Sequence, residues 1–495
     1  GTLRTGECCV LQIRIPTEVG ASGVRLMLED SEHAVCAELP FSFASRGEDG
    51  YELWRLEFTR QETGLHFYWF RIDKRGGGSF RLFRQGRDTN MEAGEKWQLS
   101  VIPADFRVPD FAPGAVMYQI FPDRFARSGS CDLTGKLQPF WVHESPDELP
   151  EYRPDAQGEV RNNDFFGGNF AGIREKLPYL QELGVGVLYL NPIFMAWSNH
   201  RYDTADYRRP DPMLGTEEDF RALCDAAHAR GMRVILDGVF SHTGSNSVYF
   251  DAKHVFGHGA ASDPNSPYRR WYRFHHYPDD YEAWWGIRTL PCVEELDETY
   301  LHYIIEDEDS VIAHWLRLGA DGFRLDVVDE LPDEFVRRLR RRMRQIDPQS
   351  LLLGEVWEDA SNKRAYGVSR RYFVDGELDS VMNYPWRNAI VAFLTDADDG
   401  TALGESLMTL AENYPPEVLS CVMNHLGTHD TPRILTVLGE PFRGTKDERA
   451  HRRMTPVQRK TALMRLRMAA FLQFTLPGMP CIYYGDEAGM EGFED

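Results

Sequence analysis

The 495 residues carry a formal net charge of −22, with 42% hydrophobic and 27% charged side chains. That acidity excludes nucleic acid and anionic membrane as partners, because both are polyanions and need a basic surface. The length exceeds one ordinary domain and predicts a large α/β domain with smaller units attached.

Residues 1–105 predict an N-terminal β-sandwich, of the carbohydrate-binding-module kind. Val10–Ile15, Gly23–Leu28, Tyr51–Phe58, His66–Ile72 and Phe80–Phe83 read as short strands, with turn residues at Arg46–Gly50 and Lys74–Gly78. The eight cysteines are scattered, apart from adjacent Cys8 and Cys9, and none shows paired metal-ligand spacing. They predict free thiols in a reducing compartment, hence a cytoplasmic location.

From residue 106 the pattern changes to strands alternating with helices. Candidate strands are Val116–Phe121, Val185–Leu190, Arg233–Asp237, Gly322–Val327, Leu351–Val356, Ser380–Tyr384, Cys421–Gly427 and Met479–Tyr484. Helical stretches include Phe170–Leu183, Glu217–Arg230, Pro332–Ile346, Pro385–Thr395, Gly404–Asn413 and Pro456–Thr475. Such a series predicts a parallel (β/α)8 TIM barrel over 106–242 and 309–495, with its site at the C-terminal ends of the strands. Residues 243–308, rich in His, Tyr and Trp, predict an inserted subdomain over the mouth after strand 3. The sequence stops just past the eighth strand, so no eighth barrel helix is expected from it. In the basic run Phe335–Ile346, Phe335, Leu339, Met343 and Ile346 recur at helical spacing. The arginines there predict a solvated helix face. Met464, Met468 and Leu472 predict a packed one.

The chemistry lies where the strands end. Arg324 and Asp326 sit two apart, on one face of the fourth strand. Buried unpaired charge is costly, so the pair reads either as a structural salt bridge or as a carboxylate held ionised, with lowered pKa, to act as nucleophile. The third strand ends DGVFSH, offering Asp237 and His242; the fifth ends GEVW, offering Glu355 beside Trp357; the seventh ends NHLGTHDTPR, offering His429, Asp430 and Arg433. Two carboxylates on neighbouring strands suit glycoside hydrolysis, one attacking the anomeric carbon and the other protonating the departing oxygen. Histidines and a third acid then bond the hydroxyls of the reacting sugar. Trp284 and Trp285 read either as sugar-stacking platforms or as two halves of one packing contact. His275 and His276 lack the helical spacing of a metal site.

Together these segments resemble the short sequence regions of the α-amylase family, glycoside hydrolase family 13. The matching pieces are YQIFPDRF (Tyr118–Phe125), YLNPIF (Tyr189–Phe194), HRYDTADY (His200–Tyr207), DGVFSH, GFRLDVVDE, GEVW, VMNYPW (Val381–Trp386), GTHDTPR and YYGDEAGM (Tyr483–Met490). The resemblance implies Asp326 as nucleophile, Glu355 as general acid/base and Asp430 as transition-state stabiliser. Arg324, His242, His429, Tyr202, Asp237, Trp357 and Arg433 are then the substrate-binding set. Within the family, the N-terminal β domain and VMNYPW resemble neopullulanase, cyclomaltodextrinase and maltogenic amylase.

That group implies a retaining hydrolase of α-1,4 bonds in starch fragments, cyclodextrins or pullulan, and a homodimer formed through the N-terminal domain. It also implies a C-terminal β domain, for which this sequence has no counterpart. A transglycosylase on the same site, and a glucan-binding protein on an inactive barrel, are the alternatives. No cofactor is required. Structural calcium at an outer loop has Asp164 and Asn169 as candidate ligands, although Ser241 stands where many amylases place a calcium-binding asparagine. The chain departs from the group at Leu290–Leu296, which offers Glu294 in place of an asparagine, and at VVDE after the fourth strand.

Overall fold

The computed structural model describes residues 1–86, 88–91, 93–156, 158, 160–439 and 442–493. Eight parallel strands lie in one sheet: Met117–Ile120, Val187–Leu190, Arg233–Gly238, Gly322–Leu325, Leu351–Gly354, Ser380–Val381, Met423–His425 and Met479–Tyr483. The first strand pairs with the eighth as well as the second. A parallel bridge from Met382 to Met423 joins the sixth to the seventh, so the sheet closes on itself as a barrel. All eight expected strands are present, most of them shorter than read, because the C-terminal residues leave the ladder to form the mouth.

Apolar strand residues fill the barrel from its N-terminal side, with Met117, Val187, Tyr189, Ile235, Leu351, Leu353, Met423 and Cys481 in one fully buried cluster. Strands this short need close approach. At Gly322 an added Cβ would lie 2.1 Å from the Leu351 carbonyl oxygen on the next strand. The helices around the barrel carry strong start signals. Asn169 caps Phe170–Glu182, Thr216 and Asp219 form a capping box on Glu217–His228, and Thr455 with Gln458 does the same for Pro456–Thr475. A helix absent from the sequence reading, Val311–Leu318, is capped by Ser310 and ended by Gly319 in the left-handed region, φ 119°.

The basic helix Asp333–Ile346 buries Phe335, Val336, Leu339 and Met343, as its spacing implied. Its arginines meet acids: Arg340 and Arg344 both bond buried Asp379, and Arg338 bonds Glu334 and Glu306. The last long helix corrects an expectation. Met464 and Met468 are about half exposed, and Ala462, Ala469 and Gln473 face inward instead.

The chain divides into two compact units. One holds Gly1–Arg107 with Asp359–Glu377 and Gly400–Leu419; the other holds Val108–Glu358, Leu378–Asp399 and Ser420–Asp495. The segments 359–377 and 400–419, read from sequence as barrel, therefore belong with the N-terminal residues. Within that unit a seven-stranded and a three-stranded sheet share a core of Ile15, Val24, Leu26, Trp54, Leu56, Phe70 and Ile72.

Residues 243–308 fall within the barrel unit. Aromatic side chains bind them in. Tyr300 donates to the Phe240 carbonyl at 2.9 Å, the Tyr207 amide donates to Tyr249 Oη at 3.0 Å, and Trp271 packs on Tyr249 and Tyr300. All eight cysteines are free. Among the described residues no helix is long and apolar enough to cross a membrane.

Candidate active site

Asp237 and Arg324 are register partners on the third and fourth strands, so their side chains leave the sheet on the same side. Arg324 is fully buried. Its Nη1 donates to Asp237 Oδ1 at 2.7 Å and to Asp326 Oδ1 at 2.9 Å, while Nη2 lies 2.7 Å from Glu355 Oε2. One guanidinium thus meets three carboxylates from three successive strands. Arg324 cannot neutralise them all, and the Asp326 pKa moves opposite to the lowering its spacing from Arg324 implied. Burial, with Glu355, Asp237 and Asp430 as like charges, holds its carboxyl well above the usual carboxylate range against the pull of Arg324.

Beyond Asp326 the backbone turns sharply. Val327 takes φ 38°, ψ 53°, a conformation costly for a β-branched residue. The turn aims its amide at Glu355 Oε2, 2.9 Å away. The other carboxylate oxygen, Oε1, accepts from Trp357 Nε1 at 3.0 Å. Trp357 itself is 45% exposed and stacks on Tyr384, with ring centroids 3.8 Å apart. Both oxygens of Glu355 are thereby oriented.

A polar network supports the opposite side. Asp237 Oδ2 accepts from Tyr189 and Tyr202, each at 2.7 Å. The Tyr202 hydroxyl is 2.5 Å from His429 Nε2, and the two rings are near parallel with centroids 5.3 Å apart. Gln119 donates to His429 Nδ1 at 3.0 Å, an assignment that leaves the ring proton on Nε2. Asp430 lies 3.3 Å from that Nε2, with its side chain 38% exposed at the mouth. His242 is buried beside Ser241, and burial lowers its pKa to about 4, so it is neutral at pH 7.

Asp326, Glu355, Asp430, Arg324, Asp237, Tyr202, His429 and Trp357 are thus joined contact by contact at one end of the barrel. Arg433 stands apart from them. Its guanidinium lies over Tyr483 and Tyr484, and it donates to the Tyr484 carbonyl and to Asp486. Its Nη1 is thereby engaged away from the acids of the mouth.

Both candidate calcium ligands are engaged within the chain. Asn169 Oδ1 accepts from the Gly172 and Ser128 amides and its Nδ2 donates to the Ser128 carbonyl, so the side chain is spent as a helix cap. Asp164 accepts from the Glu151 amide and Asn199, with His143 Nε2 2.9 Å away.

Gln119, Tyr189 and Asn191 received no role in the sequence reading. They end the first two strands and bond the network, Asn191 donating to the Tyr202 hydroxyl at 3.1 Å. Their signal was present as polar groups closing otherwise apolar strands in YQIF and YLNP.

Residues 119–495 match the family model described as "Alpha amylase, catalytic domain". The chain is 34% identical to an amylopullulanase of Thermoanaerobacter thermohydrosulfuricus, over all of this chain and 36% of that protein. It is 33% identical to neopullulanase 2 of Thermoactinomyces vulgaris, over 79% of this chain and 59% of that one. Among solved structures it resembles the type III pullulan hydrolase from Thermococcus kodakarensis, with TM-score 0.65 and 26% identity, covering 99% of this chain and 79% of that chain. The chain therefore spans only part of these curated relatives' length, 36% of one and 59% of the other.

Proposed function

Since the chain belongs to the alpha-amylase family, we propose that it hydrolyses α-1,4-glucosidic bonds with retention, in starch-derived oligosaccharides, cyclodextrins or pullulan. The observation that carries this reading is the single Arg324 guanidinium shared by Asp237, Asp326 and Glu355 at the strand ends. In the first step the Asp326 carboxylate bonds the anomeric carbon as the glycosidic bond breaks, and Glu355 gives its proton to the departing oxygen. In the second, Glu355 takes a proton from water, whose oxygen displaces Asp326 from the same carbon. Two inversions return the α configuration. Asp430, Tyr202, His242 and His429 bond the hydroxyls of the sugar held between them.

The names of the relatives support the substrate class, since they include hydrolases of pullulan. An inactive, glucan-binding barrel is disfavoured because Asp326, Glu355 and Asp430 all face one network. We also propose a homodimer through the N-terminal unit and a cytoplasmic location. The edge strand Ser42–Arg46, exposed throughout with Phe43 among its residues, supports the first; eight free cysteines support the second. The test is a pullulan digest with panose, isopanose and maltotriose resolved. Panose or isopanose, the products of α-1,4 cleavage, in the α anomer when first released, is expected. A β product, or no cleavage of any α-glucan, overturns the reading.

A further inference from the structure

Trp285 is 77% exposed, the most exposed of the large apolar side chains in the loop that carries it. It also takes φ 49°, ψ 28°, in the left-handed region that aromatic side chains rarely occupy. Exposure and strain together ask for a reason, because neither stabilises the fold. The loop is well anchored. Ala283 bridges Pro291, His242 bridges Cys292, and the Trp284 amide donates to the Leu290 carbonyl at 2.9 Å. Trp285 is therefore held outward by a fixed frame.

Two contacts set its direction. Its Nε1 donates to Glu330 Oε1 at 3.2 Å, and one face stacks on Trp284, with centroids 4.9 Å apart and planes at 11°. Trp284 in turn lies 5.4 Å from the His242 ring. A run of three rings thus leads from the buried histidine of the mouth to solvent. Glu330 closes the short turn Val328–Glu330, which begins directly after Val327, the residue whose amide bonds Glu355. The general acid must stand on the leaving-group side of the scissile bond. The turn after Val327, through Glu330, ties Trp285 to the segment that bonds that acid.

The surroundings do not favour a charged ligand. Glu282 and Glu294 both pair with Arg273, and Glu330 lies nearby. Burial, with Glu294, Glu330 and Glu282 as like charges, pushes the Glu295 carboxyl up to about 8. With Glu282 and Glu294 paired and Glu295 protonated at pH 7, these acids offer no field that would hold a charged ligand.

We propose that the outer face of Trp285 is the platform on which an uncharged glucose unit stacks on the leaving-group side, first as part of the departing sugar and then as acceptor. This rests on the hydrolase reading above and deepens it by naming what governs transfer against hydrolysis. In the transfer step an acceptor hydroxyl oxygen bonds the anomeric carbon as the carbon–oxygen bond to Asp326 breaks, and the hydroxyl proton passes to Glu355.

The experiment uses the full chain with α-maltosyl fluoride as donor and free maltose as acceptor. The fluoride places a single atom beyond the scissile bond, so its release reports the Asp326–Glu355 chemistry, while tetrasaccharide formation reports acceptor binding. In Trp285→Ala the maltose concentration giving half-maximal transfer is expected to rise about tenfold more than fluoride release falls, with Trp285→Phe recovering most of the difference. Equal effects on the two readouts, or none on the acceptor, would overturn the assignment. So would a wild-type protein that releases fluoride yet makes no transfer product at high maltose. Absence of fluoride release by the wild-type protein would instead overturn the hydrolase reading, and this inference with it.

Discussion

Asp326 sits among more negative charge than one arginine can balance, and two outcomes follow. Asp326→Asn removes the nucleophile and a like charge at once. Turnover is expected to fall at least about a thousandfold, since the covalent route is closed. The melting temperature should hold or rise, because a buried carboxylate among carboxylates opposes folding when ionised. Residual hydrolysis near wild-type rate would mean another group attacks. The second outcome concerns pH. Attack needs Asp326 ionised, and burial with its acidic neighbours raises its pKa. The acid limb of kcat/KM should therefore lie above the ordinary carboxylate range, and activity should fall on acidification earlier than a solvated aspartate would dictate. A profile flat down to that range would contradict the charge arrangement described.

Among the elements, the fourth strand decides most, since it carries both Arg324 and Asp326 and lies between the strands that supply Asp237 and Glu355. Its start depends on Gly322, where a methyl group would meet backbone atoms of Leu351. Gly322→Ala is expected to cost about 3 kcal/mol, the upper end for overpacking. Urea unfolding would measure it, and a loss within about 0.5 kcal/mol, as at an ordinary surface site, would show that the two strands can separate freely. At the same end of the barrel Asp321 ties His228 and Arg233 together, at 2.7 and 3.0 Å. Stability is thus placed at the end away from the chemistry.

For the molecule as a whole, the N-terminal unit is assembled from three stretches of chain. Gln98 donates to Ser361 across a buried contact at 2.9 Å, Arg84 pairs with Glu412, and Arg4 with Glu417. A fragment ending at Arg107 lacks those partners and leaves buried groups unpaired. It is expected to show no cooperative urea transition under conditions where the full chain does. A sharp transition in the fragment would mean that the two sheets suffice alone.

Local pattern by itself determined the eight barrel strands, the capped helices and the acids, histidines and arginine at the strand ends, because periodicity and residue chemistry are properties of neighbours in the chain. It reached Asp326, Glu355 and Asp430 in the same way, as charges terminating apolar runs. Only the tertiary structure decided what those charges do to one another. Arg324 could be paired with Asp326 from spacing, yet the burial and the acidic neighbours Glu355, Asp237 and Asp430 that raise the Asp326 pKa depend on strands brought together by the barrel. The same holds for Arg433, drawn to Tyr484 and Asp486, for Asn169, spent on a helix cap, and for the segments 359–377 and 400–419, which belong with the N-terminal unit. Electrostatics and partner choice act through space, and residues far apart in sequence set them.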